Sequence, residues 1–221
     1  CNELACAYTT INIAQLQGHT PNKNVLKIFS AAADPTRNRV YVAGILTRHI
    51  AILDGATEKW IGTVDSGIEG YALKYLYVDP KANFLYIVDE SNHQLHRIDL
   101  NTNTLAGPVA LPEHVGMIAV DSTRTRLYMT TPDAPTFRAY DGKTLQTVYT
   151  IAEMGAGASA IAFDAQADVL YVLNMMPKTG GEIFRVDPKT GKIVGTLAYN
   201  QPPGQRARFL EYDAARARFL V

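Results

Sequence analysis

Five polar side chains of the kinds that bind metal ions or transfer protons stand next to short apolar runs. Asp89 and Asn174 directly follow such runs, whereas Glu69, Glu113 and His114 shortly precede others. Carboxylate and amide oxygens suit hard cations such as Ca²⁺ and Mg²⁺, and an imidazole acts as a general acid or base near neutral pH. If the fold gathers these side chains, we expect a ligand-binding site.

The chemistry of such a site would be that of a metal-dependent hydrolase or lyase. Glu69, Asp89 and Asn174 would be its metal ligands, and His114 and Glu69 its catalytic candidates. The other interpretation is a set of polar loop ends that solvent covers. The sequence has no serine nucleophile elbow, no phosphate-binding glycine loop and no CxxCH haem site. No cofactor is therefore predicted, and Ca²⁺ or Mg²⁺ is the metal that these oxygen ligands would take.

An internal repeat determines which elements carry these side chains. Each copy contains an aspartate, a short turn and an apolar run. These aspartates recur at intervals of 45, 42, 43 and 49 residues, as Asp34, Asp79, Asp121, Asp164 and Asp213. A second series follows the first four copies by 20, 20, 20 and 23 residues, as Asp54, Asp99, Asp141 and Asp187. Two series that keep register over four copies indicate a genuine repeat.

Each copy of the repeat predicts four short antiparallel strands. One strand precedes the first aspartate, one follows its turn, one leads into the second aspartate, and one follows the second turn. The runs are rich in β-branched and aromatic residues, and no segment has the helical period of 3.6. Four such strands every 40–50 residues or so predict an all-β fold, a β-propeller with one blade per repeat. We expect the aspartates to cap tight turns by accepting backbone hydrogen bonds.

The two ends of the chain each look like half of a blade. Residues 7–13 resemble a third strand with Asn12 in place of the second aspartate, and the chain ends after two strands of another copy. Joined, the halves keep the register of the repeat, which predicts a single domain, 1–221, closed as a five-bladed ring. The alternative is a fragment of a six- to eight-bladed propeller. The predicted blades are 25–67, 68–112, 113–155, 156–204, and 205–221 together with 1–24.

The predicted propeller places the five polar side chains on one face. Loops that leave the second strands and loops that enter the first strands surround the central channel at the same end. We name these the channel-face loops. They carry all five candidates, so the sequence predicts a ligand-binding site at the channel mouth formed by Glu69, Asp89, Glu113, His114 and Asn174.

The repeat resembles the YVTN family of propeller repeats. The matching stretches include Asp79-Pro80 with Leu85-Tyr-Ile-Val-Asp89, and Arg97-Ile-Asp-Leu-Asn-Thr102 in the third strand. The resemblance covers nearly the whole chain and implies the propeller architecture. It implies no single activity, because such repeats occur in surface proteins, periplasmic binding proteins, lyases and dehydrogenase subunits.

Two local resemblances imply the enzymatic alternative. Glu69-Gly70 resembles the acidic pair of gluconolactonase-type propellers, although Tyr71 stands where a proline usually follows. His114 is similar in position to the histidine of streptogramin-lyase-type propellers, whereas His93 and His96 are assigned to a hairpin loop and its strand. A lactonase-like or streptogramin-lyase-like activity is what these matches imply.

The two cysteines predict the compartment. Cys1 and Cys6 would lie at the ends of a hairpin in the joined blade, within reach of a disulfide. Such a bond fits an oxidising compartment. We therefore expect an extracytoplasmic protein, whether secreted, periplasmic or attached to the cell surface.

The composition limits the kinds of partner that we expect this protein to bind. The 221-residue chain has 21 Lys and Arg against 21 Asp and Glu, so no overall positive charge attracts nucleic acid. No run approaches the ~18 apolar residues of a membrane span. The leading prediction is a non-enzymatic binding or scaffolding propeller whose channel face meets a protein, a glycan or a small molecule.

Overall fold

The structure is a computed structural model that describes residues 28–44, 48–68, 74–111, 114–131, 134, 136–151, 154, 157–174, 181–199, 210–213, 216 and 218–220. Every regular element in these ranges is a β-strand, and neighbouring strands pair antiparallel. Cys1, Cys6 and the predicted half-blade 1–24 lie outside the described residues. The disulfide therefore stays a prediction.

Four complete sheets and one two-stranded sheet follow one another along the chain. The first sheet consists of β1 (Ile28–Asp34), β2 (Arg39–Gly44), β3 (His49–Asp54) and β4 (Trp60–Asp65). The second consists of β5 (Lys74–Asp79), β6 (Phe84–Asp89), β7 (Gln94–Asp99) and β8 (Thr104–Ala110). The third consists of β9 (Ile118–Asp121), β10 (Arg126–Thr130), β11 (Phe137–Asp141) and β12 (Thr147–Ile151). The fourth consists of β13 (Ala158–Asp164), β14 (Val169–Asn174), β15 (Gly181–Val186) and β16 (Ile193–Tyr199), and the last pair is β17 (Glu211–Asp213) with β18 (Arg218–Leu220).

The order of the sheets around a centre identifies the architecture. The first strands of successive sheets contact one another in sequence, from β1 to β5, β9, β13 and β17. In each complete sheet the first strand is an edge strand, so the other three strands extend away from this shared centre. The protein is thus a β-propeller, and the predicted fold class is confirmed. The count of five blades depends on residues 1–24 and remains a prediction.

The core lies between neighbouring blades. Alternate side chains of a strand point to opposite sheet faces, so a blade can bury one face against each neighbour. Ile50 of the first blade shares a cluster with Ile87 and Ile98 of the second. The second strand of each complete sheet has a buried tyrosine at the same register position, which supports the same packing: Tyr41, Tyr86, Tyr128 and Tyr171.

The repeated aspartates cap turns, as predicted. Oδ1 of Asp34 accepts hydrogen bonds from the backbone of Thr36 at 2.9 Å and of Arg37 at 3.2 Å. Burial raises the pKa of Asp34, but side-chain bonds from Thr36 and Arg37, together with these backbone bonds, hold it below its usual value. Four residues after each such aspartate the backbone enters the left-handed region, at Asn38, Glu58, Asn83, Asn103, Thr125, Leu145, Asp168 and Gly191. We name this unit the aspartate turn.

Arginines in two of these turns connect neighbouring blades. Arg124 binds Asp121 of its own turn at 2.6 Å and Asp168 of the next blade at 2.5 Å. The guanidinium of Arg124 holds the pKa of Asp168 below its ordinary value. Arg37, at the equivalent position, binds Asp34 at 2.9 Å and donates to Asn83 of the next blade. No pattern in the sequence predicted these links.

Candidate functional site

Three of the five predicted channel-face residues lie in the described part of the chain. These are Asp89, His114 and Asn174, whereas Glu69 and Glu113 lie outside the described residues. Convergence of all five side chains therefore stays a prediction. The described ranges contain no group of three or more His, Cys, Asp or Glu side chains placed to hold a metal ion.

Asp89 caps the turn between β6 and β7. Its side chain is fully buried, and its two oxygens accept from the backbone N–H of Asn92 at 3.1 Å and from the Asn92 side-chain amide at 2.7 Å. Four residues on, His93 has φ 50°, as expected for another aspartate turn. Because both carboxylate oxygens are engaged within the turn, Asp89 has a structural role there.

Asn174 anchors the loop that enters the fourth blade. Its Nδ2 donates to the carbonyl of Met154 at 2.6 Å, and both residues are buried. Met154 lies between β12 and β13, so this bond ties the incoming chain to the end of β14. In the third blade Thr131, at the matching position, contacts Oγ1 of Thr136 at 2.8 Å inside its own loop. The residues that follow the second strands thus shape the channel-face loops.

His114 meets a histidine that was assigned only to a hairpin loop. Its ring contacts that of His93, with centroids 4.5 Å apart and planes inclined at 72°. His114 is exposed and His93 is half-buried. His93 lies in the turn after β6 and His114 in the loop before β9, so two classes of channel-face loop meet here. The turn rule could have found this pair, because His93 stands four residues after Asp89.

His96 lies in β7, as the sequence analysis assigned it, but it is buried between the first two blades. It is 4% exposed, and neither ring nitrogen has a hydrogen-bond partner within the described residues. Burial lowers the pKa of His96, although the negative charge of Asp89 partly opposes that shift. The imidazole is therefore held neutral and lies away from the described cavity. No sequence signal distinguished His96 from an exposed histidine.

A cavity opens where the first strands of three blades meet. Its volume is 320 Å³, at the lower end of the range typical of ligand pockets. The side chains that line it in the described residues are apolar apart from that of Tyr212, and they belong to residues 118–120 of β9, residues 161–163 of β13, Leu210 and Tyr212. The cavity is open to solvent, and most of the surface that faces it is polar because backbone atoms contribute to it. None of these described side chains is a general base or a common metal ligand.

The edge strands add hydrogen-bonding capacity to this cavity. β9 and β13 each pair on one side only within the described sheets, with β10 and β14. Their other edges carry backbone N–H and C=O groups toward the channel. A ligand here would meet apolar side chains together with backbone donors and acceptors, a combination that fixes orientation as well as position.

No known protein-family model and no curated protein sequence matches this chain. Solved structures do match it in shape. A chain of hydrazine synthase from Kuenenia stuttgartiensis superposes with a TM-score of 0.67 at 13% identity, covering 80% of this chain and 50% of that one. A chain in a nidogen/laminin complex superposes with a TM-score of 0.62 at 14% identity, covering 85% of this chain and 69% of that one.

These likenesses concern the fold alone. The chain spans half the length of the hydrazine synthase chain that it matches. In the described residues no helix has the length and apolar character needed to cross a membrane. The sheets, the order of their first strands and both structural neighbours agree on a β-propeller.

Proposed function

We propose that this chain is a non-enzymatic binding propeller that holds an apolar group of its ligand in the central channel. The observation that carries the proposal is the 320 Å³ cavity between β9, β13 and the start of β17, whose described lining has only one polar side-chain group. A cavity of this kind suits a small molecule or an apolar side chain of a bound protein.

The channel-face residues support the same proposal. Asp89 and Asn174 form hydrogen bonds within the channel-face loops. Their side chains therefore stabilise the shape of these loops. The nidogen/laminin neighbour comes from a complex of two proteins, which is compatible with a protein as the partner. We further propose that the chain is a YVTN-type propeller of an extracytoplasmic compartment.

The test measures the binding of indole, a small aromatic molecule, to the wild-type protein and to two alanine-to-leucine variants. Ala162 lines the cavity and also belongs to a buried cluster with Tyr171 and Leu173. Ala162→Leu should narrow the cavity, and thermal unfolding must first show that this variant folds like the wild-type protein. Ala198→Leu, on the exposed outer strand β16, is the matched control. We expect saturation-transfer NMR to detect indole binding to the wild-type protein and to Ala198→Leu, and to show weaker binding to Ala162→Leu. The proposal fails if the wild-type protein does not bind indole, or if Ala162→Leu binds it equally well.

A metal-dependent hydrolase or lyase is the second candidate. The contact between His114 and His93 favours it, because it places imidazoles at the channel-face loops. It requires Ca²⁺ or Mg²⁺ at Glu69, Asp89 and Asn174. Metal analysis of the purified protein, combined with thermal unfolding before and after EDTA, tests this candidate. Absence of bound metal together with an unchanged melting temperature would exclude it.

A further inference from the structure

Two imidazoles from different loops meet at a distance that suits a shared metal ion. The ring centroids of His93 and His114 are 4.5 Å apart. A metal bound through an imidazole nitrogen at about 2.0–2.1 Å lies about 3.2 Å from the ring centroid. Two such ligands have centroids roughly 4.5 Å apart at the right angle of an octahedral metal, and roughly 5.2 Å apart at the tetrahedral angle of zinc. The observed separation lies at the lower of these values, and the rings stand edge to face, so both side chains must rotate to aim a nitrogen at one metal.

The backbone around both histidines is held by hydrogen bonds. The carbonyl of His93 accepts from the backbone N–H of Leu111 at 2.7 Å, which ties the β6–β7 turn to the β8–β9 loop. At the other end of that loop, Gly116 donates to the carbonyl of Thr130 at 2.8 Å. Asp89 fixes the turn itself. The two rings are thus brought together by the fold.

We propose that His93 and His114 form a binding site for a divalent transition metal, zinc or nickel, at the edge of the channel face. Imidazole nitrogen is a preferred ligand of these metals, whereas Ca²⁺ and Mg²⁺ prefer oxygen. Within the described ranges no third His, Cys, Asp or Glu side chain joins the pair. Coordination positions that the pair leaves open allow a donor group of a bound molecule to join the metal.

The proposal is independent of the cavity, which other strands line. The experiment titrates metal-free protein with Zn²⁺ by calorimetry in a non-coordinating buffer. We expect His93→Asn and His114→Asn each to weaken the pair's Zn²⁺ binding at least about tenfold. Asparagine tolerates the left-handed backbone of position 93 and already occupies the matching position in other turns, at Asn38 and Asn83. His49→Asn, which changes a histidine of β3, is the control.

A second measurement identifies the ligands directly. Sub-stoichiometric Ni²⁺ is paramagnetic, so we expect it to broaden the imidazole NMR signals of His93 and His114 before those of His49 and His96. Any metal bound by the cysteines is common to all variants and cancels in the comparison. The site is disproved if the two variants bind Zn²⁺ as the wild-type protein does, if only one of them is affected, or if Ni²⁺ broadens all histidine signals together.

Discussion

At the scale of single residues, buried polar atoms without partners are concentrated in the second blade. Within the described residues they include both ring nitrogens of His96, the hydroxyl of Tyr86 and one oxygen of Asp79. A buried polar atom that lacks a partner lowers stability, because its hydration is lost without replacement. Among these groups, His96 is the one whose charge can change near neutral pH.

Acidification is therefore expected to destabilise the protein through His96. Burial depresses its pKa in the folded state, so the unfolded chain takes up a proton first as the pH falls below about 6.5. The unfolded state then binds more protons, and the free energy of unfolding falls with pH until the folded protein is also protonated. We expect urea unfolding to give a lower free energy of unfolding at pH 5.5 than at pH 7.5, with a slope from this one group of at most about 1.4 kcal/mol per pH unit.

Substitutions separate His96 from the other titrating groups. His96→Leu should remove most of this pH dependence, whereas His49→Leu should retain it. The turn aspartates with lowered pKa values, such as Asp34 and Asp187, lose their contribution only in more acidic solution. An equal slope in wild-type protein and His96→Leu would show that another group is responsible.

At the scale of elements, the aspartate turn explains which features the sequence predicted and which it did not. The spacing of the aspartates predicted strand order and turn position, because one turn recurs between the first and second strands and between the third and fourth strands of the blades. The same reasoning made Asp89 a candidate metal ligand, and its side chain caps a further turn of the same kind. A count of residues cannot distinguish a carboxylate that caps its own turn from one that faces a ligand.

Contacts between loops and between blades could not be predicted from the sequence. The meeting of His93 with His114, and the bond from Asn174 to Met154, depend on how loops from different strands approach in space. The repeat fixes which loops share a face but not which side chains touch. The cavity similarly depends on the angle between neighbouring first strands. The fold class could thus be predicted, whereas the contents of the site could not.

One aspartate turn contains a residue poorly suited to its backbone. Thr125 has φ 50°, a left-handed conformation that is strained for a β-branched side chain, whereas the equivalent Asn38 and Asn83 tolerate it. We expect Thr125→Asn to raise the free energy of unfolding by about 0.5–1 kcal/mol in urea. Thr123→Asn changes the same turn outside the left-handed region and should have little effect. A gain equal in both variants would point to a general effect of asparagine in the turn.

At the scale of the whole molecule, the arginine links bear on the number of blades. Arg37 reaches Asn83 of the second blade, and Arg124 reaches Asp168 of the fourth. Arg216 occupies the equivalent position in the last two-stranded sheet and binds Asp213 of its own turn at 2.9 Å. In each link, the partner is the left-handed residue of the following turn.

A five-bladed ring makes a specific prediction for Arg216. If the blade that follows it around the axis is the first, the left-handed residue that it would reach is Asn38. We expect a double-mutant cycle between Arg216→Ala and Asn38→Ala to give a coupling energy of about 0.5 kcal/mol, the usual size for an exposed polar contact. Thermal or urea unfolding of the four proteins supplies the values.

The cycle between Arg37 and Asn83 is the matched control, because it joins the same two residue types across one blade boundary. In a ring of more than five blades, another blade would lie between the β17–β18 sheet and the first blade. Arg216 would then be too far from Asn38 to contact it. Coupling in the control with strict additivity between Arg216 and Asn38 would therefore contradict the five-bladed ring. Coupling in both cycles would support closure of the first blade against the last, since two side chains affect each other's energy in this way only when they are neighbours.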